Sequence, residues 1–187
     1  MRVVSGKYSG KRLYSPKGRK TRPTTDRVKE TLFNLLENSI RINFKDQNII
    51  DIFSGSGALG IESLSRGANF CTFVDNSHIA YTNILKNINS LKIESRCALI
   101  KTDILGIPKF IKDTSNKIDI VFADPPYKKI NLIVEAIKVL SNKGWLKEKV
   151  YLVVESAKKD KLQNIEGFDL LISREVGDTS ISIYLSQ

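Results

Sequence analysis

From residue 49 onwards, short apolar segments alternate along the chain with segments whose apolar residues recur at helical spacing. The apolar segments predict strands over 49–52, 70–74, 97–100, 118–122, 150–154, 170–174 and 180–185. The helical spacing predicts helices over about 58–66, 77–89 and 132–140. Repeated β-α units imply a doubly wound, mostly parallel sheet, and Gly177-Asp178 predicts that the last two strands form an antiparallel hairpin. We therefore expect an α/β protein with a Rossmann-like fold.

An additional helix is predicted before the first strand. Thr24 or Thr25 can cap its start. Its apolar positions fall on one helical face, at Val28, Leu32, Leu35 and Leu36. Arg27 and Lys29 lie on the other face, so we expect the helix both to pack on the core and to meet a polyanion.

The composition is that of a soluble globular protein, with 41% hydrophobic and 27% charged residues. The sequence has no apolar run of about 18 residues and no apolar segment after its first residues, so neither a membrane span nor a secretory signal is predicted. Cys71 and Cys97 lie in separate predicted strands, and the single histidine, His78, lies at a helix start. We therefore expect reduced thiols, no metal site and a cytoplasmic location.

Positive charge is concentrated at the start of the chain. Residues 1–30 hold ten basic and two acidic side chains, a balance of +8, which leaves +2 of the total +10 for the rest of the chain. Glycines and tyrosines between the charges predict a short hairpin or turns, with apolar anchors at Val3-Val4 and Leu13-Tyr14. Such an arm would give salt-dependent affinity for nucleic acid, and a solvated, disordered tail is the alternative. The candidate nucleic-acid contacts are Lys7, Lys11, Arg12, Arg19, Lys20, Arg22 and Arg27.

The most informative loop follows the predicted strand at 118–122 and reads Asp124-Pro125-Pro126-Tyr127. Two prolines fix the backbone in a stiff, extended conformation and remove two N–H donors. The Asp124 carboxylate and a backbone carbonyl can then accept both hydrogens of an amino group on a flat heterocycle, while Tyr127 stacks on the ring. The loop therefore predicts a site for an amine-bearing base, and an acidic turn that closes a strand is the plainer alternative.

A glycine-rich turn follows the first predicted strand. Gly55 and Gly57 let the backbone approach a ligand closely, and Phe53 lies in the same turn. Asp75 ends the second strand about 20 residues after Gly55, where it can accept hydrogen bonds from a ribose diol, and Asn76 follows it. This spacing also matches the fingerprint of nicotinamide-dinucleotide enzymes, so the turn alone leaves the cofactor open.

The acidic residues around this turn favour a cationic ligand over a dinucleotide. Asp51 precedes the glycines, where it would accept a hydrogen bond from an ammonium group but repel a pyrophosphate. Ligands of doubly wound sheets bind outside the carboxyl ends of the strands, so the aspartates there share one rim: Asp51, Asp75, Asp103 and Asp124. S-adenosyl-L-methionine, with a sulfonium, an ammonium, a ribose and an adenine, is a ligand of this kind.

Several motifs together match one known family. They occupy residues 6–13, 22–34, 51–62, 65–68, 124–127, 144–146 and 154–156. Over nearly the whole chain they resemble the RsmD family, the bacterial 16S ribosomal RNA guanine-N2 methyltransferases. The glycine motif is common to many methyltransferases, whereas R-P-T-T-D-R-V-K-E-T-L-F-N joined to D-P-P-Y is far more specific. Ser9 and Lys29 stand where the family usually has arginine, which removes one basic group and one bidentate fork.

The resemblance implies a class I methyltransferase that uses S-adenosyl-L-methionine to methylate N2 of guanine 966 in 16S ribosomal RNA. It implies an assembled or nearly assembled small ribosomal subunit as substrate, and we expect a monomer. We expect a single domain, with an RNA-contacting arm and helix over 1–45 and a catalytic core over 46–187.

The residues of this core can be given roles in that reaction. The expected catalytic group is Asp124, Pro125, Pro126 and Tyr127, which would hold and stack the target base. Asp51 would bind the methionine ammonium and Asp75 the ribose, whereas for Asp103 an adenine contact and a simple strand-end cap are equally open. The expected cofactor-binding set is Asp51, Phe53, Gly55, Gly57, Asp75, Asn76 and Asp103.

Other functions remain open from the residues alone. The D-P-P-Y loop does not choose the base, so methylation of adenine N6 in RNA or DNA is the main alternative. Nicotinamide-dependent oxidoreduction would need an electropositive pyrophosphate site, which the sequence does not offer. A nucleic-acid-binding module without catalysis would explain the basic arm but would leave the acidic rim and the proline loop unused.

Overall fold

The computed structural model describes residues 1–15, 25–110, 116–125, 130–160 and 164–187. Its helices are α1 (Asp26–Asn34), α2 (Ala58–Ser65), α3 (His78–Leu91) and α4 (Leu132–Asn142). Its strands are β1 (Asn48–Ile52), β2 (Phe70–Asp75), β3 (Cys97–Lys101), β4 (Ile118–Ala123), β5 (Leu146–Ala157), β6 (Phe168–Val176) and β7 (Thr179–Ser186). A π-helical turn at Leu35–Ser39 follows α1, and 3₁₀ turns occur at Glu94–Arg96, Ile104–Gly106 and Lys158–Asp160.

The strands form one sheet in the order β3-β2-β1-β4-β5-β7-β6. Strands β1 to β5 pair in parallel, whereas β7 is antiparallel to both β5 and β6. The direction of winding reverses between β1 and β4, which is where doubly wound sheets place their ligands. The predicted α/β fold with a closing antiparallel hairpin is confirmed.

Helices cover both faces of the sheet and divide the core in two. α1, α2 and α3 pack on one face through buried residues that include Leu32, Ile61 and Ile84. α4 packs on the other face through Ile133 and Leu140. Because the central parallel strands are covered on both sides, they are continuous apolar runs, and this is why they could be found from sequence.

Helix α1 begins as predicted but buries a residue that was expected on its outer face. Thr25 is the N-cap, and its Oγ1 accepts a hydrogen bond from the Val28 N–H at 3.2 Å. The prediction that Lys29 meets a polyanion is wrong, because its side chain is fully buried and its Nζ lies 3.3 Å from Glu62 Oε2. Thr24, the other candidate cap, lies outside the described residues.

The cysteines and the histidine occupy the places expected for them. Cys71 and Cys97 are free thiols in register on the neighbouring strands β2 and β3. Burial raises the pKa of the Cys97 thiol to about 12, so this thiol is protonated at neutral pH. His78 is exposed at the first position of α3. Among the described residues, no helix combines the length and apolarity that crossing a membrane requires.

Candidate active site

The turn after β1 is held in a sharply bent conformation at the carboxyl edge of the sheet. Its backbone enters the left-handed region at Phe53 (φ 61°), Gly55 (56°) and Gly57 (75°). A phenylalanine rarely adopts such a φ, and backbone strain of this kind is common at functional sites. Ser54 ties the turn to β2, because its Oγ accepts a hydrogen bond from the Val74 N–H at 2.9 Å. The turn is therefore fixed against the neighbouring strand.

Asp51 lies one residue before the end of β1 and is buried, with 2% of its surface exposed. Its Oδ2 accepts a hydrogen bond from the Gly60 N–H, in the first turn of α2, at 3.0 Å. Burial raises the pKa of Asp51 to about 8, a shift that the hydrogen bond from Gly60 opposes and the charge of Asp75 increases. A carboxyl group in this setting would be stabilised in its ionised form by a cation within reach.

Gly60 lets α2 lie close enough to β2 to deliver that N–H. A Cβ at this position would lie 2.4 Å from Phe73 Cε1 and 2.5 Å from Cys71 Sγ, which is far inside contact distance. The helix start, the Asp51 carboxyl group and the neighbouring strand are therefore packed as one unit. This explains why the glycine motif extends into the helix.

Asp75, the last residue of β2, is half-buried and holds the same turn. Its Oδ2 accepts a hydrogen bond from the Gly55 N–H at 2.9 Å, and its Oδ1 accepts one from the Ser77 N–H at 2.8 Å. Each carboxylate oxygen can accept a second hydrogen bond, so these contacts are compatible with a ligand diol. Asn76 is exposed directly beside it.

The remaining acidic positions follow β3 and β4. Asp103 is exposed, and its Oδ1 accepts a hydrogen bond from the Leu105 N–H at 3.0 Å, so the capping role considered for it is observed. Asp124 and Pro125 follow β4 directly and are half-buried. Pro126 and Tyr127 lie outside the described residues.

Strand register brings two of the acidic residues to either side of the bent turn. Val74 of β2 and Ala123 of β4 both pair with Ile52 of β1. Asp75 and Asp124 are the next residues along the chain, so they lie level with each other on either side of β1. Since neighbouring strands lie about 4.8 Å apart, the two aspartate backbones are about 10 Å apart across β1. This span suits a nucleoside-sized ligand that lies over the turn between them.

The N-terminal arm is a hairpin packed against α2. The Val3 N–H donates to Lys11 O at 2.9 Å and the Gly10 N–H donates to Val3 O at 2.9 Å. Gly6 has a φ of 79°, and a Cβ there would lie 2.0 Å from Ser65 O in α2. The predicted hairpin is confirmed, and the alternative of a solvated, disordered tail is wrong for residues 1–15.

The hairpin presents basic side chains to solvent. Lys7, Lys11 and Arg12 are exposed, as is Arg27 on α1. Of the apolar anchors, Tyr14 was predicted wrongly, because 56% of it is exposed. Three candidate RNA contacts lie outside the described residues: Arg19, Lys20 and Arg22.

A buried ionic cluster joins the hairpin to the core, and sequence reasoning missed it. The Glu62 side chain in α2 is fully buried and accepts hydrogen bonds from the Val4 N–H at 2.7 Å and the Ser5 N–H at 2.9 Å. Arg66 Nε donates to the same carboxylate at 3.0 Å, and Lys29 Nζ lies 3.3 Å away. Burial lowers the pKa of Lys29, an effect that its pairing with Glu62 opposes. The sequence signal that could have revealed the cluster is Glu62 itself, the one charged residue among the small and apolar residues of α2.

Asn87 of α3 was also missed. It is fully buried and its Oδ1 accepts a hydrogen bond from the Tyr14 N–H at 2.7 Å. Its Nδ2 donates to Tyr14 O at 2.9 Å and to Ser56 O at 3.0 Å. One amide therefore joins the end of the hairpin to the glycine-rich turn.

Comparisons with known proteins agree on one family. The family model described as "Conserved hypothetical protein 95" matches residues 1–185. The ribosomal RNA small subunit methyltransferase D of Haemophilus influenzae is 36% identical over 98% of this chain and 93% of its own length. The protein of the same name from Escherichia coli K12 is 34% identical over 88% of this chain and 79% of its own.

A solved structure gives the same result at the level of the fold. The Escherichia coli candidate methyltransferase yhhF superposes with a TM-score of 0.82 at 32% identity, over 100% of this chain and 98% of that one. The chain is therefore similar to this methyltransferase along its whole length in fold as well as in sequence. The chain belongs to the RsmD family and has the fold of the class I methyltransferases.

Proposed function

We propose that this protein transfers a methyl group from S-adenosyl-L-methionine to the exocyclic N2 of guanine 966 in 16S ribosomal RNA. The observation that carries the proposal is the arrangement of aspartates at the carboxyl edge of the sheet, around a strained glycine-rich turn. The names of the relatives, which are small-subunit ribosomal RNA methyltransferases, support the choice of substrate.

The residues around the turn fit the cofactor by their chemistry. The buried Asp51 has a raised pKa and so would gain from the positive charge of a methionine ammonium group. Asp75 keeps capacity to accept hydrogen bonds from a ribose diol, with Phe53, Gly55, Gly57 and Asn76 beside it. Asp103 would accept a hydrogen bond from the adenine amino group through the oxygen that does not cap the 3₁₀ turn. When bound, S-adenosyl-L-methionine supplies an electrophilic methyl group on a sulfonium.

The loop after β4 would prepare the amine. The lone pair of an exocyclic amine is delocalised into the base, so the amine is a poor nucleophile until it is oriented. The Asp124 carboxylate and the Pro125 carbonyl would each accept one N–H, which aims the nitrogen lone pair at the methyl group. Asp124 would also stabilise the positive charge that develops on the nitrogen. Pro126 and Tyr127 would complete the pocket, with Tyr127 stacked on a base that is unpaired or flipped out.

The basic side chains of the hairpin and α1 would hold the RNA backbone. Lys7, Lys11, Arg12 and Arg27 are exposed, so they are available to phosphates. We place Arg19, Lys20 and Arg22 in the same role. We treat 1–45 as the RNA-contacting part of one domain and 46–187 as its catalytic core, working on the small subunit in the cytoplasm.

The test uses Asp124→Ala with Asp169→Ala as the matched control. Asp169 lies on the edge strand β6, three strands from β4, and contacts Gln187. Transfer of labelled methyl groups to small-subunit particles from a strain that lacks the enzyme should be abolished in Asp124→Ala and normal in the control. Cofactor affinity, measured by calorimetry, should stay within a few-fold in both. Undiminished turnover in Asp124→Ala would refute the role of this residue, and a loss confined to cofactor binding would move it into the cofactor pocket.

The same experiment decides which base is modified. Mass spectrometry of nuclease fragments of the labelled RNA should find N2-methylguanosine at position 966. N6-methyladenosine as the product would replace the proposed specificity with the adenine alternative that the D-P-P-Y loop leaves open.

A further inference from the structure

An open groove of about 320 Å³ lies between the N-terminal hairpin and the end of α3. Its lining residues are Lys11, Arg12, Leu13, Tyr14, Ser90 and Leu91. Leu13 and Leu91 are buried, whereas the other four lining residues are exposed. Lys11 and Arg12 are among the RNA contacts proposed above, whereas Leu13, Tyr14, Ser90 and Leu91 have no role in the proposed reaction.

Tyr14 is displayed in this groove by a rigid support. Its ring is exposed, while its backbone N–H and C=O both bond to the buried amide of Asn87, at 2.7 and 2.9 Å. A fixed backbone under an exposed ring lowers the entropy lost when a partner stacks on it.

The charge of the groove complements a polyanion. Lys11 and Arg12 lie in its wall directly before the aromatic residue, and no acidic side chain is among the described residues that line it. An aromatic face beside two cations is the combination by which proteins hold single-stranded nucleic acid, because every base has a face to stack and every nucleotide has a phosphate.

We propose that this groove docks one unpaired nucleotide of the RNA, with its base stacked on Tyr14 and its phosphate against Lys11 and Arg12. The proposal rests on the RNA substrate of the proposed function and adds a second nucleotide site to the one for the target base. Asn87 gives the site a fixed position, because its Nδ2 also donates to Ser56 O in the glycine-rich turn at 3.0 Å. The docked nucleotide would thereby be held at a constant distance from the cofactor.

The test measures equilibrium binding of a short fluorescent single-stranded oligoribonucleotide, without cofactor, and of the same strand annealed to its complement. Tyr14→Leu removes the ring but keeps an apolar side chain, and Tyr14→Phe keeps the ring as the matched control. Tyr14→Leu should weaken single-strand binding by roughly 5- to 150-fold, the effect of losing one stacked base, with duplex binding unchanged. Tyr14→Phe should bind within about twofold of wild type, and all three proteins should have the same melting temperature.

A Tyr14→Leu variant that binds the single strand as tightly as wild type would refute the proposal that the groove docks a nucleotide. Equal weakening of single-strand and duplex binding would overturn it too, since it would mean a general phosphate surface. The logarithm of the affinity falls linearly with the logarithm of the salt concentration. Lys11→Ala should make this negative slope shallower by about 0.7, because one phosphate contact is lost, whereas Tyr14→Leu should leave the slope unchanged. If wild type transfers methyl groups but Tyr14→Leu binds RNA normally, only the proposed nucleotide site is refuted. If binding depends on Tyr14 but wild type transfers no methyl group, only the proposed function is refuted.

Discussion

Two buried carboxyl groups on the same side of the sheet have opposite surroundings: one is surrounded by hydrogen-bond donors and cations, and the other is not. Glu62 in α2 is fully buried and surrounded by two backbone N–H groups, the Arg66 guanidinium and the Lys29 ammonium. Asp51 in β1 is almost as deeply buried, yet among the described residues its carboxylate has one hydrogen-bond donor, the Gly60 N–H. Accordingly, the pKa of Asp51 is raised to about 8.

The difference distinguishes Glu62, which has a structural role, from Asp51, which is a candidate for a functional one. The Glu62 charge is matched by the fold itself, so it joins the hairpin, α1 and α2 without needing a ligand. The Asp51 carboxyl group lies at the edge where ligands of this fold bind, and desolvation makes its ionised form unfavourable unless a cation binds beside it. Strongly perturbed carboxyl groups at a cleft are candidates for function for this reason.

The largest expected effect is on the matched charge. Glu62→Gln should lower the free energy of unfolding by about 3–5 kcal/mol, because it leaves Lys29 and Arg66 buried without their common partner. Chemical denaturation measures this, with Glu30→Gln on the exposed side of α1 as the control. A loss under about 1 kcal/mol would mean that the cluster is compensated by water or by rearrangement, and the comparison would fail.

Asp51→Asn should change the free energy of unfolding in the opposite direction to Glu62→Gln. The folded form of wild type keeps a proton on Asp51 up to a pKa of about 8, whereas the unfolded chain loses it near 3.8, so this group makes wild type less stable as pH rises between those values. Asparagine does not titrate, and its Oδ1 can still accept the Gly60 N–H. The stability of the variant relative to wild type should therefore rise from pH 4 to pH 8, by up to a few kcal/mol. Unfolding curves at several pH values test this, and a constant difference would contradict the raised pKa.

Gly60→Ala should disturb the support of Asp51 by a smaller amount. The added methyl group would collide with Phe73 and Cys71, which should cost about 1–3 kcal/mol and should draw the Gly60 N–H away from the carboxylate. Gly106→Ala is the control, since its Cβ would meet only Thr102 Oγ1 at 3.1 Å and should cost much less. Equal melting temperatures for the two variants would show that α2 is not closely fitted to β2.

The smallest effect is expected at the exposed ion pair of the hairpin. Arg2 Nε lies 3.2 Å from Asp26 Oδ2, and the two side chains are 65% and 39% exposed to solvent. Arg2→Ala should change the free energy of unfolding by about 0–1 kcal/mol, since water screens such pairs. Denaturation at low and high salt checks this, and a loss as large as that of Glu62→Gln would remove the contrast between exposed and buried charges at the hairpin.

The sequence predicted local features far better than long-range partners. The strands, the helices and the Gly177-Asp178 hairpin follow from periodicity and turn chemistry, which are properties of neighbouring residues, and the structure confirms them. Lys29 was misplaced because a helical pattern says which residues share a face but not which charge from another helix lies opposite. The partners of Glu62 in the hairpin lie 57 and 58 residues away, and no local pattern could reveal them.

The candidate site divides in the same way. The positions of the aspartates at the strand ends could be predicted, because a doubly wound sheet aligns the ends of its parallel strands. The capping role of Asp103 was one of the two roles considered for it, but the hydrogen bonds of the other two aspartates could not be predicted: Asp75 accepts two from backbone N–H groups, and the buried Asp51 accepts one. These contacts depend on how the turns fold back on the strands, as the left-handed Phe53 illustrates.

The most direct measurement of the central claim is the proton balance of cofactor binding. Calorimetric titration with S-adenosyl-L-methionine in buffers of different ionisation enthalpy gives the number of protons released. Because the pKa of Asp51 is about 8, this group is mostly protonated at pH 7 and should release up to one proton when the cofactor binds. The affinity of wild type for the cofactor should therefore rise as pH rises from 6 to 7. Asp51→Asn should bind more weakly and release correspondingly fewer protons. Equal affinity and equal proton release by the two proteins would contradict the claim that Asp51 is the counter-charge of a cationic cofactor.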